Sequence, residues 1–241
     1  MDTSTSIALS GQNAREREMD VLANNIANLS TPGFKGEQMM FHEYLSNPPG
    51  GGQPSSYVSI VGNARDMSQG PLTHTGNPLD IALNGPGFLT VATTAGTNEY
   101  TRDGHLQLDS QGELVTSGGL VVQSEGGAPI IIPGGAGPIT VGKDGTVSTI
   151  AGTIGKIGMV DFADPQQLLE QQGGLYTTTQ ATQPATNTTL EQGTVEESNI
   201  QPIVEITKLM TAERDITSSK NFSDGEHNRL KNAIDRLGKT I

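Results

Sequence analysis

Cysteine is absent from all 241 residues, which excludes disulfides, thiolate chemistry and cysteine-ligated structural zinc. Tryptophan is absent too, and Phe and Tyr bring aromatics to only 4%, so any core must rest on Ile, Leu, Val and Ala. Basic side chains are few: 14 Lys and Arg stand against 26 Asp and Glu, for a net charge of −12. Nothing gathers the Lys and Arg on one face, so nucleic-acid binding is not expected. No apolar run approaches the roughly 20 residues needed to span a bilayer, so no membrane insertion is expected. Residues Met1 to Ser6 carry neither a basic n-region nor an apolar h-region, so no cleavable secretory signal is expected. An exported form would then have to leave by another route.

Turn-forming residues are abundant, with 31 Gly and 13 Pro. They predict a turn-dense, sheet-like region rather than a deep-cored enzyme. Charge is unevenly distributed. Residues 38–198 hold 15 acidic and only four basic side chains, Arg65, Arg102, Lys143 and Lys156. The two ends together, 1–37 and 199–241, hold 11 acidic and 10 basic. An acidic middle repels its like, whereas balanced ends suit packing against other chains.

Residues 3–29 read as a helix. Met19, Leu22, Ile26 and Leu29 follow a 3-4-3 spacing that places them on one stripe, and Pro32 ends the run. Residues 46–56, rich in Pro, Gly and Ser, read as a loop. From Tyr57 to about Tyr176, short apolar runs alternate with turn residues and argue an all-β middle. Residues 177–190, rich in Thr, Gln and Ala, read as an extended loop. Helical period returns at Asn199, with Ile203, Ile206 and Met210 on one face, Ile216 near it, and Leu230, Ile234, Leu237 and Ile241 at 4-3-4 spacing. Gly225 weakens this second helix, and a break or looser turn is expected around Asn221 to Gly225. Neither helix can bury its stripe alone, so antiparallel pairing is the simplest arrangement.

The chemical motifs weigh against catalysis. Gly137 to Asp144 approaches a phosphate-binding loop, but Asp144 stands where Ser or Thr is needed and a strand-like run follows where a helix is needed. A hairpin turn is the simpler reading. The four histidines have no ligand-type spacing, and Asp103 and Asp109 sit in turn contexts where a carboxylate accepts from nearby amides. No nucleophile, base and oxyanion constellation stands out, so no enzyme, cofactor or metal site is expected. The segment Ala23-Asn24-Asn25-Ile26-Ala27-Asn28 is unusual, because Asn is a poor helix former and Asn25 falls on the packing stripe. It is either a device that fixes register or a frayed last turn capped by Asn28, and composition leaves both open.

That segment, with Ser30-Thr31-Pro32-Gly33-Phe34-Lys35, resembles the N-terminal signature of the flagellar basal-body rod and hook family. The run Thr75 to Phe88, Tyr100-Thr101-Arg102-Asp103-Gly104 and Gly112 to Thr116 are similar to its central motifs. Gly193 to Ser198-Asn199-Ile200, on to Glu205, resembles the C-terminal one. The length and the runs Glu125 to Ile130 and Ile139 to Thr146 look most like proximal-rod members, with distal-rod members next.

The resemblance implies an α+β fold with a discontinuous, coiled-coil-like layer of N- and C-terminal helices (1–30 plus 197–241). A connecting segment with extended strands (31–75), a central all-β domain (76–185) and a return linker (186–196) would complete it. It also implies a structural subunit of the periplasmic rod that assembles head-to-tail with like and unlike rod subunits and transmits motor torque. Delivery would be through the flagellar type III export apparatus. The expected assembly residues are Met19, Leu22, Asn24, Asn25, Ile26, Asn28, Leu29, Phe34, Ser198, Asn199, Ile203, Ile206, Met210, Leu230, Ile234 and Leu237. The rival readings are a distal-rod or hook-family subunit and, from another class, a secreted β-rich binding or adhesin module whose helices merely dimerise.

Overall fold

Two long helices and a succession of short antiparallel strands make this an α+β chain in which β-structure predominates. The computed structural model describes residues 3–46, 55–93 and 96–238. They divide into two units. One, the helical unit, takes residues 1–27, 37–65 and 201–241; the other, the body, takes 28–36 and 66–200. The segment expected to connect, 31–75, is thus divided between them.

In the helical unit, α1 runs Thr3–Ala27 and α2 runs Pro202–Gly238. Pro202 opens α2 at the position where its missing N–H leaves no bond unmade, and Glu205 N–H donates to the Gln201 carbonyl at 3.1 Å to close the first turn. The break expected at Asn221 to Gly225 is absent, and α2 is continuous there. An isolated Gly inside a helix costs only about 1 kcal/mol against Ala. The neighbouring turn is supported by the pair Arg229–Glu226 at 2.6 Å. Strands β1 (Glu37–Ser46) and β2 (Ser55–Arg65) form an antiparallel hairpin whose register shifts between Met40 and Phe41. The loop expected over 46–56 is therefore shorter: Ser46 ends β1, Ser55 and Ser56 open β2, and 47–54 lie outside the described residues.

In the body, β3 (Leu72–His74), β4 (Ile81–Asn84), β5 (Phe88–Ala92) and β6 (Asn98–Thr101) begin the sheet system. Strand β5 is central. One edge pairs with β6, and the other is shared by Met159–Asp161 and Val121–Val122. Side chains alternate across it: Leu89 and Val91 enter the main aliphatic core with Ile81, Leu106 and Val122. Phe88 enters an aromatic cluster with Tyr100, Phe162, Leu168 and Tyr176 on the opposite face. The rings meet edge-on, with centroids 4.9–5.6 Å apart, the geometry their quadrupoles favour.

The stretch read as a loop over 177–190 contains strand Gln183–Pro184 and the start of Thr189–Gln192, which pairs with β4. A single buried apolar residue, Leu190, held opposite Leu83, anchors that pairing in an otherwise polar sequence. The phosphate-loop look-alike is a hairpin turn. Gly145 N–H donates to the Gly142 carbonyl at 2.9 Å, and Asp144 accepts from Thr146. Asp109 likewise accepts from the Gln111 and Glu113 amides, each at 2.8 Å.

Candidate assembly interface and its anchoring residues

The helices pair antiparallel, as three cross-links along them show: Asn25 to Glu205, Arg15 to Asp215 and Ser219 to Ala8. The less exposed side of α2 runs Glu205, Leu209, Ala212, Ile216, Ser219, Ser223 and Glu226, a strict 4-3 repeat. On α1, Ile7, Gly11, Ala14, Glu18, Leu22 and Asn25 lie on the inner side. Small and polar residues dominate both. Among the described residues of this unit, only Ala14, Leu22 and Ala212 are buried apolar side chains. Apart from Leu209 and Ile216, the large apolar residues of α2 are exposed: Ile203 is 82% exposed, Ile206 45%, Met210 51%, Ile234 68% and Leu237 72%. Leu230 is exposed as well. The hairpin exposes Phe41, Tyr44, Leu45 and Val61 in the same unit.

Asn25 is buried at 2% exposure, and its amide is used fully. Oδ1 accepts from Glu37 N–H at 2.9 Å, and Nδ2 donates to the Glu37 carbonyl at 2.8 Å. One side chain thereby supplies both bonds a neighbouring strand would give the first residue of β1. Nδ2 also donates to Glu205 Oε2 at 3.1 Å, while Glu205 Oε1 pairs with Lys208 at 2.8 Å. Asn25 therefore ties α1, β1 and α2 together. Replacing it with leucine is expected to leave the Glu37 N–H and carbonyl without this partner, at about 1–3 kcal/mol for each buried group. Far-UV circular dichroism in urea should show the helical signal lost earlier; an unchanged midpoint would refute the role.

The body contains a second polar centre, assembled from residues far apart in sequence. Glu196 is completely buried. Its Oε1 accepts from Lys35 Nζ at 2.6 Å and from Gly70 N–H at 2.9 Å, and its Oε2 accepts from Arg102 at 2.9 Å. Arg102 also donates to the Gly87 carbonyl at 2.8 Å and the Gly85 carbonyl at 2.9 Å, and its guanidinium lies 5.5 Å from the Phe88 ring centre. Lys35 donates to the Ser68 carbonyl at 2.6 Å. Burial, with nearby Arg102 adding to it, pushes the Lys35 pKa below its ordinary value, against the opposing pull of Glu196. Asn199 stitches the same region, accepting from Gly36 N–H and donating to the Asp66 carbonyl. Gly33 N–H donates to the Glu196 carbonyl at 2.8 Å.

The expected assembly residues are thus distributed unevenly. Leu22, Asn25, Phe34 and Ser198 are buried within their own units. Met19, Ile26, Asn28, Leu29 and Asn199 are half-buried, and Asn28 Oδ1 accepts from Thr31. Asn24 is exposed, with Ile203, Ile206, Met210, Leu230, Ile234 and Leu237. Lys35, Arg102, Glu196 and Glu205 were not singled out by spacing. The only sequence signal for all four is that each lies inside a stretch resembling the family.

Comparison with known proteins adds an independent line. A family model described as Flagella basal body rod protein matches residues 6–35, and one described as Flagellar hook protein FlgE/F/G D1 domain matches residues 82–149. The flagellar basal-body rod protein FlgF of Caulobacter vibrioides is 41% identical over 99% of this chain and 99% of its own. FlgF of Mesorhizobium japonicum is 33% identical, again over 99% of each. The flagellar basal-body rod protein FlgG of Buchnera aphidicola from Schizaphis graminum is 34% identical, over 86% of this chain and 89% of its own.

Proposed function

We propose, from the premise that this chain belongs to the flagellar basal-body rod protein family and is a structural subunit of the rod, that it builds the proximal rod through its terminal helices. The observation that carries this reading is that most large apolar side chains of α2 lie outside the α1–α2 seam. A helical unit whose described residues include only three buried apolar side chains has little core of its own, so neighbours must supply what it lacks. Contacts between unlike faces of successive subunits generate an open helical assembly rather than a closed ring, which suits a rod that transmits torque. The 4-3 repeat of the inner side supports a coiled-coil-like layer in the assembled state. Full-length similarity to FlgF supports the proximal position, and delivery through the flagellar type III export apparatus accompanies this reading.

The double variant Ile206→Glu with Ile234→Glu tests it. Both positions are exposed, so the isolated chain should keep its unfolding free energy in urea within about 0.5 kcal/mol. Rod incorporation and swimming in soft agar should be lost. Normal motility with these two charges in place would overturn the assignment of α2 as an assembly surface.

A further inference from the structure

Among the chain's asparagines only Asn84 is followed by glycine. An asparagine in that position is chemically labile, because the glycine has no Cβ to keep its backbone nitrogen from reaching the asparagine Cγ. The fold itself demands glycine at 85. Its φ is +127°, and a Cβ there would stand 2.4 Å from the Asn187 carbonyl oxygen. Asn84 is under no such demand. It ends β4 opposite Thr189, lies exposed, and its side-chain amide bonds no described residue.

What restrains the pair is another side chain. Gly85 lies one residue past the last pair of the β4 ladder, and its N–H donates to Gln69 Oε1 at 3.3 Å. Gln69 Nε2 donates to the Leu83 carbonyl at 3.0 Å, so one amide spans the main chain on both sides of Asn84. Gln69 is fixed in turn by its neighbour, since Gly70 N–H donates to the buried Glu196 at 2.9 Å. Arg102 holds the Gly85 and Gly87 carbonyls at 2.9 and 2.8 Å. Cyclisation needs the opposite. The Gly85 nitrogen must leave Gln69, give its proton to hydroxide and bond to Asn84 Cγ, while the Cγ–Nδ2 bond breaks and ammonia departs. One water then opens the imide: attack at Cγ gives aspartate, and attack at the main-chain carbonyl gives isoaspartate.

We propose that Asn84 is a spontaneous deamidation site of the folded chain, and that Gln69 is the positioning residue that slows the reaction. Isoaspartate adds a methylene to the main chain between the pairing with Thr189 and the two carbonyls that Arg102 holds. A change at an exposed residue thereby reaches the buried Arg102–Glu196 pair.

The test ages the full chain in mildly alkaline buffer and follows each asparagine by peptide mass spectrometry, with isoaspartyl methyltransferase marking the isoaspartyl share. In the folded wild type, Asn84 should convert ahead of every other asparagine. Gln69→Ala should speed that conversion about two- to twelvefold, the worth of one hydrogen bond read as a rate. Gln69→Glu keeps an oxygen for the Gly85 N–H, so its rate should stay at or below that of wild type. Asn98 and Asn187, also exposed in the body, should keep their rates in Gln69→Ala, which separates a lost local restraint from general unfolding. Earlier conversion at another asparagine, no acceleration in Gln69→Ala, or an acceleration shared by Asn98 and Asn187 would overturn the proposal. So would a Gln69→Glu chain that reacts as fast as Gln69→Ala.

Discussion

Replacing Glu196 with glutamine is expected to destabilise the body by about 3–5 kcal/mol, the usual penalty for removing one member of a buried ion pair. The amide can accept a hydrogen bond but carries no charge, and two cations, Lys35 and Arg102, would remain within a few ångströms of each other in a site closed to water. Lys35→Met should cost less. It removes the cation that burial already disfavours and leaves Arg102 with its carboxylate. The predicted order, Glu196→Gln well below Lys35→Met and that below wild type, is read from urea midpoints by tyrosine fluorescence. The reverse order would show that the carboxylate is not the centre of this network.

Gly33→Ala should be comparably damaging for two separate reasons. Gly33 has φ near +68°, where an L side chain adds about 1–2 kcal/mol of backbone strain. Its new Cβ would also stand 2.6 Å from the Arg102 carbonyl carbon and 2.7 Å from the oxygen, against backbone that cannot rotate away. Overpacking of this kind adds about 1–3 kcal/mol. Gly119→Ala separates the two effects, since Gly119 shares the backbone conformation (φ +78°) but meets nothing within 4 Å. The expected result is a markedly larger loss for Gly33→Ala; equal losses would mean that the approach to Arg102 carries no weight.

How far the sequence could be read varied with the physical origin of each feature. Both helices, the β middle and the Asp-Gly turns follow from local periodicity and turn chemistry, and they appear where these place them. The seam between the helices was legible only in part: Leu22 and Asn25 fall on the α1 stripe, but Gly11, Ala212, Ser219 and Ser223 give an apolar-periodicity reading nothing to follow. On α2 that reading follows chiefly the outer side, and only Ile216 of its residues lies on the inner one. Asn25 drew notice as a polar residue on a packing stripe, but its partner, the backbone of Glu37, could not be inferred from helix geometry alone. The Lys35–Glu196 pair spans 161 positions, and no spacing rule reaches across such a distance.

That long span has a bearing on time. The body takes its first residues from 28–36 and its last from around Glu196, so a chain emerging from the ribosome can complete the fold only near its end. Contacts of high sequence separation are formed slowly, since the loop must be closed before they reward it. A chain cut short before residue 196 would hold Lys35 and Arg102 without their carboxylate, and so would lack the final contact that makes the body close. Folding of this protein is thereby deferred until almost all of it exists.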